Sequence, residues 1–194
     1  MSYCAICDGA FFRNQVIAVI GGGDAAVEEA DFLTRYAEKV YVVHRRDSFR
    51  ASKILQERLF ANPKIEVIWN AITEEIIGDE QGLVKSIELR DVLTEKKRSL
   101  AATGCFVFIG FRPNTGVIDG HFDHDEMGYV KTDTIMQTSI PGLFAAGDLR
   151  SQLTRQVTTA VGDATTAAIA VEKYLKARAE GSVVAVQGSG GYAI

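Results

Sequence analysis

The chain has 194 residues, 47% of them hydrophobic and 24% charged, and a formal net charge of −4. That balance fits a globular chain of one or two domains; it offers neither the basic face that nucleic acid requires nor the apolar run of a membrane span. Three cysteines are too few for a secreted disulfide framework and Met1-Ser2-Tyr3-Cys4 is no secretory leader, so a reducing, cytoplasmic setting is expected.

The first element in chain order is YCAICDGAFF, residues 3–12, with two residues between Cys4 and Cys7 and Asp8 directly after them. QVIAVIGGGDAAVEEADFLTRY follows. It is an apolar run over residues 16–20, a glycine turn, then Ala26, Val27, Ala30 and Leu33 at helical spacing. KVYVVHRRD reads as a buried strand, SKILQERLF as a helix and IEVIW as a third strand. Strand, helix, strand, helix, strand predicts an α/β fold with a doubly wound, Rossmann-like parallel sheet. From about residue 71 the period changes: ITEEII, LVKSIELRDV and EKKRSL alternate apolar and polar around GDEQG, which predicts an antiparallel meander. GCFVFIG and GLFAAGD read as two more short buried strands. TRQVTTAVGDATTAAIAVEKYL reads as a long helix that Gly162 weakens without ending. The glycine-rich tail EGSVVAVQGSGGYAI is expected to be loose or an appended remnant.

GGGDAA lies between a predicted strand and a predicted helix, the context a dinucleotide site requires. Gly21 would allow the tight turn, Gly23 would let the backbone approach a pyrophosphate, and Ala26 takes the close-packing third position. Amides at the helix start, around Gly22, Asp24 and Ala25, would receive the phosphate charge. At the end of the second strand an acid would select NAD by bonding the ribose 2′-hydroxyl. Here the position holds His44, Arg45 and Arg46, with Arg50 close behind. Guanidinium groups bind a 2′-phosphate by charge-assisted hydrogen bonds, so NADPH is the expected nucleotide. A bare strand-to-helix turn and a solvated basic loop are the plainer readings of the same residues.

Cys4 and Cys7 admit three readings. A zinc site needs four ligands and would have to recruit His121 and His124 from a polar, acidic segment, so no metal is expected. A structural disulfide would close a very short loop and constrain the unfolded chain little. A cycling dithiol remains: one thiolate attacks, its partner resolves the mixed disulfide, and Asp8 either moves the proton or merely caps a turn. Cys105, inside GCFVFIG, has the surroundings of an inert core residue. Hydride and dithiol chemistry couple most readily through a flavin, so a flavin is expected beside NADPH.

CAICDG, GGGDAAVEEA, HRRDSFRA, FVFIGFRPNT and PGLFAAGDLRSQLTRQV, in that order, resemble the NADPH-binding and C-terminal parts of low-molecular-weight, bacterial-type thioredoxin reductases. The resemblance runs from about residue 3 to residue 175. It implies an FAD- and NADPH-dependent enzyme, usually a homodimer, that reduces the disulfide of thioredoxin. Cys4 and Cys7 would be the redox pair and Asp8 the acid. His44, Arg45, Arg46 and Arg50 would hold the 2′-phosphate, and Ile109 and Gly110 would line the nicotinamide contact. The stretch from Gly147 and Asp148 through Arg155, Gln156 and Val157 would face the FAD. Residues 1–101 would form the NADPH domain with the dithiol, residues 102–180 the C-terminal portion of an incomplete FAD-binding domain, and 181–194 a tail. The family's N-terminal FAD-binding segment, with its own Gly-x-Gly-x-x-Gly, is not in this sequence. A separate FAD-binding fragment, a second copy or the tail is therefore expected to cover the apolar faces it would cover. A stand-alone NADPH-binding dithiol module and a sister flavoprotein reductase are the competing functional readings.

Overall fold

The computed structural model describes residues 1–116 and 122–181, so His121 and nearly all of the expected tail lie outside the described residues. It groups into two compact units, Met1–Gly110 and Phe111–Ile194.

The first unit is built on β1 (Val16–Gly21), β2 (Lys39–Val43) and β3 (Ile65–Ile68), then a meander of β4 (Ala71–Gly78), β5 (Val84–Asp91) and β6 (Lys97–Ala101), and last β7 (Gly104–Phe108). Strands β3, β2, β1 and β7 lie in that order in one parallel sheet, and β4, β5 and β6 form a separate antiparallel one. Side-chain alternation explains how the parallel sheet is covered on both faces. Ile17 and Val19, with Val40, Val42 and Phe106, point to α2 (Asp24–Leu33) and α3 (Lys53–Ala61), where Ala26, Val27, Ala30, Leu33 and Leu59 complete a core. Ala18, Val43 and Cys105 point the other way, onto Ile87 and Leu89 of the meander. The helices thus cover one face only, and the antiparallel sheet takes the place of a second helical layer.

Two apolar runs that look alike in sequence end differently. The sequence reading placed residues 104–108 with the C-terminal part, yet they pair with β1 from Ile17↔Gly104 to Gly21↔Phe108. Only glycine fits at 104, where a Cβ would lie 2.4 Å from the ring of Phe12. That space lets Phe12 pack edge-on against Phe106 at 5.1 Å. GLFAAGD, expected as a strand, makes only a single bridge, Gln137↔Phe144. Gly142 and Gly147 bracket it at φ +84 and +80, left-handed turns that leave too short an extended stretch to form a ladder.

In the second unit α4 (Val157–Ala179) is the one helix among the described residues. A reciprocal cap between Gln156 and Thr159 starts it. Gly162 does not interrupt it; the hydroxyls of Thr165 and Thr166 donate to the carbonyls of Val161 and Gly162 across this turn. A small core of Phe122, Val130 and Ala145, flanked by Ile140 and Leu149, holds the irregular segments together. Among the described residues no helix is long and apolar enough to cross a membrane.

Candidate functional site

The carboxyl ends of β1, β2 and β7 open on one cleft of about 670 Å³, the place where parallel sheets bind ligands. Gly21 sits where a Cβ would lie 2.4 Å from the Phe108 carbonyl oxygen and 2.6 Å from the Cβ of Ala26. Glycine at 21 and alanine at 26 therefore bring helix and sheet together, as the motif predicts. Gly23, at the start of α2 with φ −94, has open space where a Cβ would stand. Asp24, Ala25, Arg45 and Arg50 line the cleft from the helix start and the basic loop, Ile109 and Gly110 from the end of β7, and Thr73 from the meander. Thr73 Oγ1 is buried and has no hydrogen-bond partner. A backbone open at Gly23, an orphaned hydroxyl and two lining arginines suit a phosphate-bearing nucleotide.

The basic loop has an inner and an outer side. Arg45, Arg46 and Arg50 are exposed, whereas His44 is only 7% exposed. Its ring occupies the space a Cβ on Gly22 would fill, at 2.2 Å. Nε2 faces the carbonyl of Ser48 at 3.1 Å. Phe49 and Trp69 flank the ring at 5.4 and 6.1 Å. Burial pushes the imidazole pKa below its ordinary value, against the carbonyls of Ser48 and Gly21, which raise it, and with the smaller help of the charges of Arg46 and Arg45. His44 is thus a neutral wedge under the loop. The Arg50 N–H donates to the Gly22 carbonyl at 2.9 Å and the Ser52 N–H to the Asp24 carboxylate at 2.7 Å. These two bonds fasten the arginine loop to the glycine turn. Arg46, unlike Arg45 and Arg50, is not part of the cleft lining.

The cysteine pair sits at the sheet's far edge. Ser2 bridges Phe106 in parallel: its N–H donates to the Cys105 carbonyl at 2.8 Å and its carbonyl accepts from Val107 at 3.0 Å. Two residues on, Cys4 begins α1 (Ala5–Asp8) and is disulfide-bonded to Cys7, with Cα atoms 5.3 Å apart. The Cys7 N–H donates to Cys4 Sγ at 3.1 Å. Cys7 is exposed and Cys4 half-buried, while Ala5 and Gly9 are buried and anchor the turn. Gly9 packs beside Leu33 and Tyr36.

Cys105 lies fully buried, and burial pushes its thiol up to about 11. A raised thiol pKa keeps the unreactive protonated form at and above neutral pH. Iodoacetamide applied to the reduced, folded chain at mildly alkaline pH should label Cys4 and Cys7 and spare Cys105 until denaturant is added. Peptide mass analysis that found Cys105 labelled at a comparable rate would contradict this.

The other predicted residues belong to the second unit. Gly147 makes its left-handed turn, donating its N–H to Asp163 at 3.1 Å, and Asp163 also pairs with Arg150 at 2.7 Å. Desolvation works to raise the Asp163 pKa, yet the hydrogen bonds from Arg150 and Gly147 overcome it and hold the carboxyl below its usual range. Asp148 and Val157 are exposed, Gln156 caps α4, and the Arg155 guanidinium lies 4.0 Å above the ring of Tyr129 with Nε buried and unpartnered. Sequence reasoning missed Thr73, Asp163 and Ser2. A single hydroxyl or carboxylate with no motif around it gives no signal.

A family model of pyridine nucleotide-disulphide oxidoreductases matches residues 2–164. The chain belongs to that family. Within it, the chain is 49% identical over 180 residues to Thioredoxin reductase 2 of Arabidopsis thaliana, covering 91% of this chain and 47% of that one. It is 48% identical over 177 residues to a thioredoxin reductase of Rickettsia felis, covering 90% of this chain and 57% of the relative. The crystal structure of thioredoxin reductase from Streptococcus pyogenes superposes with a TM-score of 0.84 at 48% identity, over 90% of this chain and 57% of that one. The chain spans about half the length of the curated relatives it matches. The bacterial-type thioredoxin reductase resemblance of the sequence motifs is borne out, as is the mixed α/β fold.

Proposed function

We propose that this chain is the NADPH-binding and dithiol-bearing part of a thioredoxin reductase. The observation that carries the reading is the cleft at the ends of β1, β2 and β7, where the glycine turn, the open backbone at Gly23 and the guanidinium groups of Arg45 and Arg50 meet. The nucleotide's pyrophosphate would lie on the amides of Gly22, Gly23 and Asp24, its 2′-phosphate on Arg45, Arg50 and Arg46, and its nicotinamide toward Ile109 and Gly110. FAD, when bound, supplies the two-electron relay between hydride and disulfide. Asp148, Arg155, Gln156 and Val157, beside the turn at Gly147, would face it.

The difference in exposure between the two cysteines supports a division of their roles. Cys7, the exposed member of the pair, attacks one sulfur of the partner disulfide as the thiolate, its proton having passed to solvent. A Cys7–partner bond forms, the partner's own bond breaks, and the departing sulfur receives a proton from Asp8, which solvent replaces. Cys4 then attacks Cys7 Sγ, giving up its own proton to the second departing sulfur and restoring the Cys4–Cys7 disulfide. Two electrons and two protons have passed to the partner. The reading includes thioredoxin as that partner, a reducing compartment and a homodimer.

The test uses one turnover. The chain is reduced with dithiothreitol, desalted and mixed with excess oxidised thioredoxin. One thioredoxin disulfide should be reduced per chain, and none with Cys7→Ser. Transfer to small disulfides without transfer to thioredoxin would overturn the assignment of partner.

A further inference from the structure

We propose that Ser2 is the positioning residue for the proton-carrying Asp8. The inference rests on the reading of Asp8 as the acid of the dithiol. It adds a residue that lies outside the Cys-x-x-Cys-Asp motif. The Ser2 hydroxyl donates to Asp8 Oδ2 at 2.6 Å, and accepts the N–H of Cys4 at 3.0 Å. One oxygen therefore ties the acid to the backbone of the first cysteine, across the base of the redox turn. The hydroxyl itself is held in place by the sheet. Both backbone groups of Ser2 pair with β7, at Cys105 and Val107, and the residue is 6% exposed. A short helix on its own is a mobile support, whereas a sheet edge is a rigid one, and a proton carrier works only when held within hydrogen-bonding reach of the sulfur.

The bond also divides the work of the carboxylate. With Oδ2 engaged by Ser2, the proton is carried on Oδ1. The carboxyl group can then load and unload without giving up its anchor. Charge-assisted O–H···O⁻ bonds of this length are among the stronger ones available to a side chain. The side chains of Ser2 and Asp8 are six residues apart, and nothing in the spacing announces their meeting. The parallel bridge between Ser2 and Phe106 is what brings it about.

A positioned acid matters when the departing sulfur is a poor leaving group, and hardly at all when it leaves readily unprotonated. The reduced 194-residue chain is therefore assayed against two probes, hydroxyethyl disulfide, whose aliphatic thiolate needs a proton, and a nitrobenzoate disulfide, whose aromatic thiolate does not. Ser2→Val and Ser2→Thr are compared because they share a shape suited to an extended edge and differ in the hydroxyl. Ser2→Val should slow the aliphatic probe about tenfold and Ser2→Thr should restore it, with the aromatic probe unchanged in both. Asp8→Asn should slow the aliphatic probe on the order of a hundredfold. Equal slowing of both probes by Ser2→Val would mean a purely structural role and overturn the proposal. So would an unaltered Ser2→Val beside a slowed Asp8→Asn, which would leave the acid reading intact. An unaltered Asp8→Asn would overturn the acid reading itself, and the role of Ser2 with it.

Discussion

Gly22→Ala is expected to lower both the melting temperature and the affinity for NADPH, the latter by more than about tenfold, whereas Gly23→Ala should lower affinity alone. The two glycines are adjacent, yet their surroundings are opposite. A Cβ at 22 would meet three ring atoms of His44, two of them at 2.2 Å. The ring has little room to withdraw, being buried, flanked by Phe49 and Trp69 and bonded to Ser48. Overfilling a packed site costs about 1–3 kcal/mol. Relief requires moving the glycine turn or the histidine, and either motion breaks the registry that the Arg50–Gly22 bond maintains. Removing the ring as well, in Gly22→Ala/His44→Ala, should recover part of the stability lost by Gly22→Ala, a non-additive result that marks direct contact. At Gly23 the backbone is at φ −94 and no atom stands within 4 Å of a new Cβ. The methyl group would then obstruct only a ligand. Thermal melts and a titration followed by Trp69 fluorescence separate the two effects; a Gly22→Ala protein with unchanged melting and binding would refute the wedge.

The contrast shows which parts of the fold were legible. The parallel sheet, its two helices and the meander were readable because each obeys a period that a linear pattern displays: alternation at Ile17, Ala18 and Val19, and helical spacing from Ala26 to Leu33. GCFVFIG and GLFAAGD could not be separated by pattern, since both are short apolar runs closed by glycine. What decided between them was a free edge on β1 for the first and two left-handed glycines around the second. At the site, the turn at Gly21, Gly23 and Ala26 was visible as a motif. The division of labour within HRRDSFR was not, because sequence treats His44 as one more basic residue and only burial against Gly22 sets it apart. Ser2 was invisible altogether; its value depends on a bridge to Phe106 that adjacency in sequence cannot show.

Replacing the arginines should erase the proposed preference for NADPH over NADH in unequal steps. Arg45 and Arg50 line the cleft and Arg46 does not, so Arg45→Ala and Arg50→Ala are each expected to weaken NADPH binding more than Arg46→Ala. A hydrogen bond to a charged group contributes about 1.5–3 kcal/mol, which corresponds to about tenfold to a hundredfold in affinity for each of the two lining residues. NADH lacks the 2′-phosphate, so its affinity should move little in any of the three variants. Arg45→Ala/Arg50→Ala together should bring the two nucleotides close to parity. Added salt should mimic the substitutions partially, since exposed charge pairs are screened. His44 enters this comparison as a control of a different kind. An uncharged, buried imidazole offers the phosphate no cation, so His44→Ala should weaken NADPH and NADH alike, through the loop it supports. Competitive titrations of the two nucleotides against each variant decide the matter. If Arg45→Ala and Arg50→Ala weakened NADPH and NADH equally, these side chains would serve the loop and not the 2′-phosphate. If His44→Ala affected NADPH alone, the imidazole would have to reach the phosphate after all.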